Sequence, residues 1–83
     1  MTETQTSLSI ERQVYSIVDE FKDNIPIPND RNRLAFCLYK YVNGEGDSPE
    51  ILVKTTKIKI EGISEKELAV KLKEKVSSVE KEG

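Results

Sequence analysis

Eighty-three residues are enough for one domain, 1–83, and no more. With 36% apolar residues, 6% aromatics and no Trp, the core must be aliphatic, while a single Cys rules out an internal disulfide and the lack of His removes the usual zinc-ligand sets and the commonest general base. A net charge of −2 and a pI of about 5.2 disfavour, without excluding, a dedicated nucleic-acid binder, whose footprint is usually basic.

In chain order, residues 1–6 are polar and expected to fray. They lack the basic and apolar regions of a signal peptide, no apolar run approaches the roughly 20 residues a membrane span needs, and a lone thiol fits a reducing compartment, so the expectation is a cytoplasmic protein with no membrane partner. Ile10, Val14, Ile17, Val18 and Phe21 recur with the helical period and predict a helix over about 9–23, beginning near Ser7 or Ser9. Pro26 and Pro28 end it and hold Ile25 and Ile27 extended, as two pegs into the core.

A second helix is expected over 30–43, capped by Asn29 or Asp30 and closed by Gly44 in a left-handed conformation. Leu34, Cys37, Leu38, Tyr41 and Val42 form its apolar stripe, widened by Ala35, and Cys37 reads as a small buried core residue. Phe36 and Tyr39 fall outside the stripe. A helix apolar almost all round is usually central.

Residues 43–48 are a loop by composition. Ser48-Pro49-Glu50 then has the chemistry of a helix start, yet 50–60 is rich in β-branched residues, and Thr56-Lys57-Ile58-Lys59-Ile60 alternates like a strand. The segment is either a fourth short helix or a single strand pairing between copies. The helix is preferred because a lone strand leaves its backbone groups unsatisfied. Finally, Ser64-Glu65-Lys66-Glu67 is a capping box with Ile63 and Leu68 placed as a hydrophobic staple. Leu68, Leu72, Val76 and Val79 carry the last helix over 64–79, with 80–83 as a frayed end. The fold class expected is mainly α: a small bundle of three helices plus the 50–60 segment.

No catalytic constellation is present, and no enzymatic activity, metal or cofactor is expected. Cys37 would need a nearby base or a helix N-terminus to become a thiolate, and instead it sits mid-helix on an apolar stripe. The Gly44-x-Gly46 pair follows a helix and lacks the strand, third Gly and following helix of a dinucleotide loop. Asn43-Gly44-Glu45-Gly46-Asp47 has the composition of a cation site without the alternating ligands and closing Glu of an EF-hand.

Two sets of residues are candidates for binding. Phe36, Tyr39 and the adjacent Lys40 lie off the main stripe of the second helix. They are either covered by another element or form a partner surface, in which aromatics are enriched. Lys54, Lys57, Lys59 and Lys71 belong to a C-terminal part, 51–83, with eight bases and six acids, a net of +2. They are the residues of a nucleic-acid-binding alternative. Residues 62–72, with their capped S-x-x-E-L-A-x-x-L run, resemble the first helix of a helix-turn-helix, but the chain beyond Lys73 continues the same helical pattern and leaves no recognition helix. The leading expectation is therefore a non-enzymatic protein-protein interaction module, an adaptor, regulator or assembly subunit, whose partner is another protein or a second copy of itself.

Overall fold

A computed structural model describes the backbone of residues 2–80 and the side chains of residues 10–79. Met1 and residues 81–83, parts of the two ends expected to fray, lie outside the described residues. The described chain is mainly helical, with α1 at Thr2–Asp19, α2 at Pro28–Val42, α3 at Pro49–Thr55 and α4 at Glu65–Glu80, and it contains no strand.

α1 starts earlier and stops earlier than its apolar stripe implies. Residues 2–7 contain neither Gly nor Pro to break the helix. After Asp19 the chain tightens into three-residue hydrogen bonds, from the Phe21 N–H to the Val18 carbonyl (2.9 Å) and from the Asn24 N–H to that of Phe21 (2.9 Å). This keeps Phe21 on the buried side and delivers Ile25, 0% exposed, into the core.

Ile27 is not the second peg: it is 40% exposed and serves as the N-cap of α2, at φ −88°, ψ 118°. The reason is Pro28. Its fixed φ suits the first helical position and its ring forces the preceding residue to be extended, so the boundary falls at Ile27, and Asn29 and Asp30 lie inside the first turn rather than capping it. At the other end the expectation holds. Gly44 takes φ +81°, the Gly44 N–H donates to the Tyr41 carbonyl (2.9 Å) and the Glu45 N–H to that of Lys40 (2.8 Å), which is the Schellman closure. Cys37 is half-buried at the edge of the stripe, not fully enclosed.

The 50–60 segment divides. Ser48-Pro49-Glu50 starts α3 as its chemistry indicates, but the helix ends at Thr55, Lys57 takes φ +52°, and residues 58–61 are neither helix nor strand. Ile58 is buried in the core. The backbone of this segment finds partners within the chain. The Lys59 N–H donates to Asp30 Oδ2 (2.9 Å), the Glu61 N–H to the Asn24 carbonyl (2.8 Å), and Asn24 Nδ2 to the Glu61 carbonyl (2.8 Å). No strand from another copy is needed to satisfy these groups.

α4 opens on its capping residue, the Ser64 Oγ accepting the Glu67 N–H at 3.1 Å. Ser64→Ala is expected to cost about 0.5–2 kcal/mol, read as a lower urea midpoint at unchanged slope. α2 and α4 each pack against all three other helices, whereas α1 and α3 do not meet among the described residues. The core between them is aliphatic apart from Phe21: Val14, Ile25, Leu34, Leu38, Leu68 and Leu72 are all fully buried.

Candidate functional site

Which side of α2 faces out is set by the residues that hold its inner side. Leu34, Ala35 and Leu38 are buried, and Asp30 is the one buried charged residue among those described. Its carboxylate accepts the Lys59 N–H and, through Oδ1, a bond from Arg33 at 2.6 Å. Arg33 Nη1 donates in turn to the Thr56 carbonyl at the end of α3 (2.8 Å). The Lys59 N–H, followed by the Arg33 guanidinium, holds the Asp30 carboxyl below its ordinary range, against the opposing effect of burial. On the other flank Arg31 Nη1 donates to the Ile25 carbonyl (2.7 Å) and Arg31 Nε lies 3.7 Å from Asp19. Arg31 thus ties α2 to Asp19 of α1 and to the Ile25 carbonyl, while Arg33 and Asp30, one turn apart on α2, tie it to the Thr56 carbonyl and the Lys59 N–H. Sequence reading missed this role, although the Asp30–Arg33 spacing of three is a helix-pair signal.

The outward side of α2 carries Asn29, Asn32, Phe36, Lys40 and Asn43, all exposed. Phe36, at its middle, is 47% exposed, so it is not covered by another helix or by 51–60. The Lys40 ammonium lies 4.9 Å from the centre of its ring, a cation–π contact. Tyr39 sits one step round the helix, half-buried, with part of its ring against the core. Phe36, Tyr39 and Lys40 therefore adjoin on one helix, an aromatic surface with a cation over one of its rings. The loop after α2 is close beneath it: a Cβ at Gly46 would meet the Tyr41 nitrogen at 3.1 Å and Lys40 Cβ at 3.2 Å.

The four lysines of the alternative are all exposed but do not line one groove. Lys54 borders the cleft between α3 and α4 with Glu50, Glu65 and Lys66, and Lys71 borders a different one with Glu20, Glu74 and Lys75. Lys59 Nζ is 3.5 Å from Glu61. Lys57 occupies the left-handed turn after α3. A groove of about 540 Å³ between α1 and α4 is lined by Arg12, Ser16, Ile17 and Val79 together with the Lys75–Glu20 ion pair, at 2.9 Å. Among the described residues no three His, Cys, Asp or Glu side chains gather as metal ligands, and no helix is long and apolar enough to cross a membrane. α4 runs as one helix to Glu80, so the capped 62–72 run is not followed by a recognition helix within the described residues.

No protein-family model, curated protein or solved structure matches the chain.

Proposed function

We propose that the protein is a small non-enzymatic interaction module, an adaptor, regulator or assembly subunit, that binds another protein through the outer face of α2. It would work in a reducing compartment such as the cytoplasm, where Cys37 stays a thiol. The observation that carries this reading is the exposure of Phe36 in the middle of the helix that also organises the core. An aromatic ring left half in water on a rigid helix contributes little to folding, and such rings are the common anchors of protein interfaces. Tyr39 and Lys40 beside it add a second ring and a charge. The other large exposed apolar residues of the helices, Ile51 on α3 and Val70 on α4, have charged residues and no aromatic within four positions in the sequence.

The reading is tested by placing a photo-crosslinking amino acid at Phe36 or, as control, at Val70, and irradiating the native cell. A discrete heavier adduct is expected from position 36 and not from position 70. Equal adducts from both positions, or none from position 36, would contradict it.

A further inference from the structure

We infer that the occupant of the α2 outer face is an acidic protein segment that brings an apolar side chain onto Phe36, an inference that rests on the interaction surface proposed above. The charge of α2 runs against that of the whole chain, which is −2: Arg31, Arg33 and Lys40 outnumber Asp30 on this helix. Arg12 of α1 lines a groove with Arg31, Asn32 and Ala35 of α2. The one acid of α2 is Asp30, and its side chain is only 11% exposed, whereas that of its partner Arg33 is 55% exposed. The pair therefore points its positive end outward. Lys40 and Arg12 have no carboxylate within ion-pair distance among the described residues. Arg33 and Lys40 stand about one turn either side of the exposed Phe36 ring, so the face offers charge complementarity to carboxylates and a contact for one apolar side chain.

A second copy docking by the same face would set the Lys40 and Arg33 cations against the same cationic patch, since a two-fold interface apposes identical patches. Nucleic acid fits less well. The face is short, and Glu45 and Asp47 follow it at the C-terminal end of α2 while Asp19 lies on its α1 side, so no continuous basic track follows a phosphate backbone. A carboxylate-bearing segment needs only the local cations.

The test is selection of short random displayed peptides on the full chain, with counter-selection on Phe36→Ala. Survivors are expected to be enriched in Asp and Glu flanking Leu or an aromatic residue, and their affinity should fall about tenfold or more with Lys40→Glu and weaken with added salt. Survivors enriched in Lys and Arg would overturn the acidic assignment while leaving the α2 face in place. A selection yielding no Phe36-dependent peptide would overturn both. Two parallel measurements assign the rival occupants: tighter Lys40-dependent binding of single- or double-stranded nucleic acid, or a dimer by light scattering that Phe36→Ala dissolves, would each overturn the proposal.

Discussion

Asp30→Ala is expected to lower the stability of the domain by about 2–4 kcal/mol, although the substitution removes only one short side chain. Two groups lose their partner at once. The Lys59 N–H is left without its acceptor, and the Arg33 guanidinium loses its 2.6 Å carboxylate contact. Asp30→Asn keeps an acceptor for Lys59 and should cost less. The same carboxyl makes the effect depend on pH. Its folded pKa lies below the ordinary value of 3.8, so its stabilising contribution is fully present above that value and is lost as pH falls through the folded pKa. In urea unfolding followed by circular dichroism, the gap between the wild type and Asp30→Asn should be widest near about pH 7 and close as the solution is acidified below about pH 4. A gap that does not change with pH would mean that the carboxylate charge contributes nothing.

Leu38→Ala is expected to be at least as damaging. Leu38 is fully buried in the core cluster, on one of the two helices that touch all three others, where a cavity is poorly placed to collapse by the shift of one element. Such truncations cost about 2–5 kcal/mol. Against a total stability that is roughly 5–15 kcal/mol for domains in general and low in that range for a small one, this is a large share. The melting temperature should fall by roughly 10 °C or more. A change of only a degree or two would place Leu38 outside the core.

The helices and their inward faces were legible because they depend on local periodicity. Val14, Ile17 and Val18, then Leu34 and Leu38, then Leu68, Leu72 and Val76 repeat at helical spacing, and burial follows from that spacing alone. Local chemistry also placed Gly44, Ser48-Pro49 and Ser64. The cap of α2 differs from expectation for a local reason, Pro28, which moves the boundary to Ile27. The 56–60 alternation differs for a distant one: the backbone of Lys59 and Glu61 bonds to Asp30 and Asn24, and no pattern at 56–61 points to them. The acceptor role of Asp30, for a group 29 residues away, likewise leaves no local signal. Phe36 was recognisable as lying off the stripe, yet whether another element covers it depends on how α3 and the 58–61 segment pack, which periodicity does not specify.

The division of α2 into an inner face that holds the fold and an outer face free to bind is tested most directly by unfolding Phe36→Ala and Leu38→Ala in urea beside the wild type. Phe36→Ala is expected to stay within about 0.5 kcal/mol of the wild type, as surface substitutions do, while Leu38→Ala falls by several times that. Comparable losses for the two variants would mean that the Phe36 ring is part of the core and is not available to a partner.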